Sequence, residues 1–210
     1  MAELVLVRHG ETDWNVAEVF RGRADVALNA TGLKQAELLG EYLSREKILA
    51  VYASPLQRAR QTAQPIAEHH GLKVNLAPGL EDFDYGAWQG LSHQEVKDKY
   101  PELYNLWHGH PERVKIPGGE NLSEVRERAL PVVTEVTQKF KGTVVLVSHR
   151  VVNKVLICAL LGLDNSHFWN VRQDTGGITR FGYEEERFIL TVHNDTSYLR
   201  SLRPALTVDF

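Results

Sequence analysis

Three short segments of this chain carry residues able to hold a phosphate group and attack it. Arg8-His9-Gly10-Glu11-Thr12 follows one apolar run, Ser54-Pro55-Leu56-Gln57-Arg58-Ala59 follows a second, and Ser148-His149-Arg150 follows a third. A guanidinium offers a planar fork of donors that fits phosphate oxygens two at a time. Gly10 lets the backbone approach a ligand with no Cβ in the way. If the segments converge, one imidazole can attack phosphorus while the other donates to the non-bridging oxygens. No stronger nucleophile is visible. Cys158, the single cysteine, lies in the apolar run Val155-Leu156-Ile157-Cys158-Ala159-Leu160-Leu161 and reads as a buried structural thiol. The spacing of a Gly-rich phosphate loop ending in lysine is missing. An alkoxide leaving group also needs a proton, and the acidic stretch Leu80-Glu81-Asp82-Phe83-Asp84-Tyr85-Gly86 offers carboxyls. A carboxyl beside a bound dianion holds its proton more tightly, which suits it to general acid catalysis near neutral pH.

Convergence is the task of the elements between these segments. Glu3–Val7, Ile48–Ala53, Lys73–Leu76 and Thr143–Val147 are short, β-branched and ended by polar residues, as buried strands are. Helical spacing predicts a helix opening at Thr31-Gly32 with Leu33, Ala36, Leu39 and Leu43 on its apolar face. A second helix carries Leu56, Ala59, Ala63, Ile66 and Ala67, with Ser54-Pro55 as cap and first-turn proline. Arg58 then falls in its first turn. Ser92-His93-Gln94-Glu95 reads as a capping box for a short helix that stops before Pro101, and His108 to Glu120 as a Gly/Pro-rich loop. A long helix follows, with Leu122, Val125, Ala129, Val132, Val136 and Phe140 facing inward and a kink expected at Pro131. After the fourth strand, Val152, Val155, Leu156, Ala159 and Leu160 mark another helix; Gly177–Tyr183 and Phe188–His193 read as a hairpin.

Repeated strand–helix units predict a single α/β domain over residues 1–210. Its architecture is a three-layer sandwich, a mainly parallel sheet with helices on both faces and an antiparallel C-terminal edge hairpin. In open α/β sheets, ligands gather at the carboxyl ends of the strands. All three chemical segments lie there.

Composition narrows the partners. The hydrophobic fraction is 43% and the formal charge is -3, so there is no global basic field for nucleic acid and an anion must be held by a local cluster of cations. No apolar run approaches the ~20 residues that span a bilayer. The first residues meet Arg8 at once and do not read as a signal peptide. The expectation is a cytoplasmic protein with no membrane partner. His69-His70 and His108-Gly109-His110 lack the spaced partners of a metal site, so neither metal nor cofactor is expected.

The longer string Leu6-Val7-Arg8-His9-Gly10-Glu11-Thr12-x-Trp14-Asn15 is far more specific than its parts. It resembles the histidine phosphatase superfamily, the group of cofactor-dependent phosphoglycerate mutases and many small phosphatases. The resemblance continues in Phe20-Arg21-Gly22, in Ser54-Pro55-Leu56-x-Arg58-Ala59-x-x-Thr62-Ala63, and in Leu80-x-Asp82-Phe83-x-Tyr85-Gly86-x-Trp88-x-Gly90. It recurs in Pro117-Gly118-Gly119-Glu120-Asn121 and Val147-Ser148-His149. It implies His9 as phospho-accepting nucleophile and Arg8, Arg58 and His149 as the rest of the phosphate pocket, with Asn15 as a neighbouring donor. Asp82 falls at the family's acid/base carboxylate and Glu11 at a supporting position; Arg21 and Gly22 would meet substrate.

Two departures stand out. The family more often has glutamate at position 82, so Glu81 and Asp84 stay open as substitutes. Its second histidine is usually followed by glycine; here Arg150 must turn to solvent or reach over the phosphate, where an extra cation suits a substrate with a second negative group. The short stretch between Gly90 and Pro117 resembles the phosphatase branch rather than the mutases. The implied reaction is hydrolysis of a small phosphorylated metabolite, with α-ribazole 5'-phosphate, a phosphoglycerate or a sugar phosphate as substrates. A cofactor-dependent phosphoglycerate mutase and a non-catalytic phosphate-binding regulator remain as alternatives, and a homodimer is left open.

Overall fold

A computed structural model describes residues 2–202; Met1 and residues 203–210 of the expected domain lie outside the described residues. Six strands form one sheet in the order β3-β2-β4-β1-β5-β6. They are β1 (Ala2–Arg8), β2 (Ile48–Ala53), β3 (Val74–Leu76), β4 (Thr143–Ser148), β5 (Ile178–Glu184) and β6 (Arg187–Asp195). The pairs β1–β4, β2–β4 and β2–β3 are parallel. The hairpin β5–β6 joins antiparallel to the other side of β1. This is the mainly parallel sheet with an antiparallel edge hairpin that the strand–helix alternation implied.

Helices cover both faces. They are α1 (Asp13–Val16), α2 (Ala30–Leu43), α3 (Gln57–His69), α4 (His93–Lys99), α5 (Pro101–Gly109), α6 (Leu122–Lys139) and α7 (Arg150–Leu160). Because β1 is covered on both sides, its run of residues 4–7 is apolar without alternation. Val5 and Val7 pack with Leu39, Leu43, Ala63 and Ile66 of α2 and α3. Leu4 and Leu6 belong to the opposite core, with Leu122 and Val125 of α6, Val152 and Leu156 of α7, and Trp107 of α5.

Several local expectations are corrected. Leu33 is 45% exposed; the buried face of α2 is Gly32, Gln35, Ala36, Leu39, Gly40 and Leu43. In α6, Val133 rather than Val132 is buried; Pro131 lies inside the helix on its solvent side. The short helix α4 does stop at Lys99, before Pro101, as expected. What the sequence did not show is that Pro101 opens a further helix, α5, where its missing N–H costs nothing at a first-turn position, so that helix reaches Gly109 inside the expected loop. Among the described residues, no helix is long and apolar enough to cross a membrane.

Candidate active site

The register of β1 on β4 makes the site. Arg8 lies opposite Ser148 in the parallel ladder, so the next residues, His9 and His149, leave adjacent strands side by side. The His9 amide donates to the Ser148 carbonyl at 3.0 Å. The two rings stand 5.1 Å apart between centroids, tilted by 60°, and both are fully buried. Two positions far apart in sequence thus become neighbours through the strand spacing of ~4.8 Å.

The turn after β1 is held by close backbone packing. A Cβ on Gly10 would stand 2.7 Å from the Gly32 carbonyl, and one on Gly32 would collide with the backbone of Glu11. Glycine at both positions lets the first turn of α2 rest on the loop that carries His9. The Gly10 amide donates to Thr62 Oγ1 at 3.0 Å, and Thr62 in turn donates to the Arg58 carbonyl. Glu11 accepts from the Asn29 side chain, the N-cap of α2, so it ties this loop to that helix. Thr12 and Asn15 form a capping box on α1; Asn15 Oδ1 accepts from the Thr12 amide and hydroxyl, which leaves its NH₂ as the donor end.

Tautomers follow from these contacts. His9 Nδ1 lies 2.6 Å from the Gly10 carbonyl, an acceptor only, so Nδ1 carries the proton. Nε2 is then a lone-pair nitrogen, and it is buried with no hydrogen-bond partner. Arg58 Nε donates to His149 Nδ1 at 3.3 Å, which places the His149 proton on Nε2, 2.8 Å from Ser54 Oγ. Ser54 had been expected to cap α3. The helix begins two residues later, with Leu56 as an N-cap that has no side-chain bond, and the Ser54 hydroxyl accepts from the Leu56 amide and meets the second histidine.

Arg58 and Arg8 are buried beside these rings. Arg8 Nη1 donates to the Gln173 carbonyl at 2.6 Å. Arg58 donates to the carbonyls of Ala24 and Gly22 and, at 2.9 Å, to Asp82 Oδ2. Gly22, expected to meet substrate, presents its carbonyl to Arg58 from a φ of +53° that favours glycine. Asp82 Oδ2 is 3.5 Å from His149 Nδ1, so the carboxyl reaches the phosphate pocket. Glu81 and Asp84 both lie near Arg23, at 3.8 and 3.7 Å.

Sequence reasoning missed what holds the Asp82 loop. Arg128 of α6 donates to the carbonyls of Gly79, Glu81 and Asp82 and pairs with both oxygens of Glu120. Glu120 also accepts from the Asp84 amide and from Arg23. In the sequence Glu120 stands out only as part of Pro117-Gly118-Gly119-Glu120-Asn121.

Beyond Asp82 opens a cavity of about 210 Å³, lined among others by Arg21, Tyr85, Arg150, His93, Tyr104 and Glu18. Arg150 enters this space rather than solvent and donates to the Tyr85 hydroxyl. Trp88 and Trp107 are core residues; Trp169 stacks on His108 and carries the Lys154 ammonium 4.4 Å from its ring centroid. Among the described residues, no three His, Cys, Asp or Glu side chains come together as a metal site would require.

Burial first, and the Arg58 charge after it, hold His9 and His149 well below the ordinary histidine range. Both are neutral at pH 7. In the unfolded chain the same imidazoles titrate near about 6.5. Below that value the unfolded chain takes up protons that the folded chain refuses, so acid weakens folding until the folded-state values are reached. Thermal unfolding measured from about pH 8 to about pH 5 should therefore show Tm falling below about pH 6.5, with a shallower fall in His149→Gln. An identical slope in that variant would mean that His149 is charged in the folded protein.

An open α/β sheet here brings two buried histidines and two buried arginines together at its carboxyl edge, an arrangement suited to a phosphate group. The model of the histidine phosphatase superfamily (branch 1) matches residues 4–196, and the chain belongs to that family. Phosphoserine phosphatase 1 of Hydrogenobacter thermophilus is 39% identical over 200 residues, covering 95% of each chain. A mycobacterial glucosyl-3-phosphoglycerate phosphatase solved with VO3 superposes with a TM-score of 0.88 at 30% identity, over 93% of this chain and 100% of that one. The α-ribazole phosphatase of Shigella flexneri superposes at 0.83 and 28% identity, over 92% and 96%.

Proposed function

We propose that this protein is a phosphomonoester hydrolase that passes the phosphoryl group through His9 to water. The observation that carries the reading is His9 Nε2, an unprotonated nitrogen with no partner, fixed by the Nδ1 contact to Gly10 and surrounded by Arg8, Arg58 and His149. In the first step Nε2 bonds to phosphorus, the ester P–O bond breaks, and Asp82 gives its proton to the leaving oxygen. In the second, Asp82 takes a proton from water, the hydroxide oxygen bonds to phosphorus, and the P–N bond breaks to release inorganic phosphate. Arg8 and Arg58 carry the charge on the equatorial oxygens. Because they are already folded against fixed carbonyls, little reorganisation is needed at the moment of reaction.

The alcohol half of the substrate lies in the cavity beyond Asp82. That space is below the roughly 300–1,000 Å³ of sites for drug-sized ligands and contains Arg21 and Arg150, which supports a small metabolite with a second acidic group. The reading agrees with relatives named for phosphoserine and for a phosphoglycerate derivative. Turnover of p-nitrophenyl phosphate should be unchanged by EDTA and inhibited by vanadate, a mimic of the five-coordinate phosphoryl group. Activity lost in chelator and restored by Mg²⁺ or Zn²⁺ would overturn the histidine mechanism.

A further inference from the structure

Glu18 occupies a position in which a glutamate needs an explanation. Helix α1 closes with the Glu18 amide donating to the Asn15 carbonyl and the Val19 amide to the Trp14 carbonyl, which leaves Glu18 at φ +52°. That left-handed helix-ending position favours glycine. No contact offsets the strain: the Glu18 carboxylate makes no hydrogen bond or ion pair among the described residues. It is exposed and lines the mouth of the cavity that begins at Asp82. A strained polar residue kept beside a reacting centre is a sign of ligand contact.

The other charges of the cavity give that contact a sense. Arg21 and Arg150 are buried deeper, at 9% and 8% exposure, while Glu18 stands at the rim near Tyr104. Apart from the reacting carboxyl of Asp82, the space beyond the phosphate pocket therefore has a cationic interior and, at Glu18, an anionic edge. A hydroxy acid satisfies only the first; an ester that carries both an acid group and an ammonium group satisfies both. We infer that Glu18 is a specificity-determining residue that binds a substrate ammonium group, so that the preferred substrates are phosphate esters of hydroxyamino acids. This rests on the hydrolase reading above and adds a discrimination that the phosphate pocket cannot supply.

O-phosphoserine and 3-phosphoglycerate provide the test, since they differ chiefly in an ammonium against a hydroxyl at one carbon. The wild-type protein should show the higher kcat/KM for O-phosphoserine. Glu18→Gln should raise KM for that substrate about fivefold, the size expected of a solvent-accessible ion pair, with kcat and the 3-phosphoglycerate kinetics unchanged. Glu18→Gly should lose the same selectivity and gain thermal stability, because it removes the strain along with the charge. Equal effects on both substrates, no effect on either, or a wild-type preference for 3-phosphoglycerate would refute the assignment. Turnover of p-nitrophenyl phosphate with neither metabolite hydrolysed would refute it and leave the hydrolase reading standing. No turnover of any of the three would remove both.

Discussion

His9→Asn should stay folded and lose phosphatase activity by on the order of 10⁴ or more, because the replaced atom forms the covalent bond to phosphorus. The wild-type protein, quenched during turnover of a radiolabelled ester, should carry phosphate that is labile in acid and stable in base, as phosphohistidine is. The variant should carry none. Asparagine keeps a polar group in reach of the Gly10 carbonyl, the partner of His9 Nδ1, so the loss reports chemistry rather than collapse of the turn. Circular dichroism and Tm separate the two. Phosphatase activity within tenfold of wild type in this variant would end the mechanism, whatever the fate of the label.

Asp82→Asn should cost on the order of 10²–10⁴ in the phosphorylation step for alkyl esters, whose alkoxide cannot leave without a proton. Nitrophenyl phosphate, with a leaving group that departs unaided, should lose far less. The substitution keeps the size of the side chain and an oxygen for Arg58, which lies 2.9 Å from Asp82 Oδ2, so the pocket keeps its shape. Single-turnover measurement is needed, since later hydrolysis of the phosphohistidine also calls on Asp82 as base. Equal losses for both leaving groups would show that Asp82 binds or shapes the site without giving a proton.

The sheet and the phosphate pocket were legible because their signals are local. Each of β1, β2 and β4 is a short apolar run ending in polar residues of distinct chemistry, and strand ends are where such sheets place ligands. Arg8, His9, Arg58, His149 and Arg150 could be found without knowing any contact. What stayed hidden depends on partners distant in sequence. Ser54 before a proline reads as a helix cap, and only the neighbouring strand shows that its hydroxyl faces His149. Glu120 lies outside α6, before its Asn121 cap, so helical spacing says nothing of its pairing with Arg128, which only the folded chain shows. The stop of α4 before Pro101 was legible, but not that the same proline opens α5, because proline fits a first helical turn as well as the position after a helix end. Glu18 had no signal at all, since its backbone strain is a property of how α1 ends.

The ladder that seats His9 beside His149 also divides the molecule's future into two parts. The distance between the two imidazoles is inherited from the pairing of β1 with β4 at the centre of the sheet, so it survives any change that leaves those strands paired. Apart from Arg150 and Val151 at the start of α7, the cavity wall is drawn from elsewhere: the segment after α1, the loop carrying Asp82 and Tyr85, and the short helices α4 and α5. Mutation in those segments can replace Glu18, His93 or Tyr104 without touching the reacting atoms. Descendants of such a chain can therefore exchange one phosphate ester for another in small steps while the bond-breaking apparatus is passed on unaltered. A relative named for phosphoserine and a superposable structure named for α-ribazole phosphate fit that separation of duties.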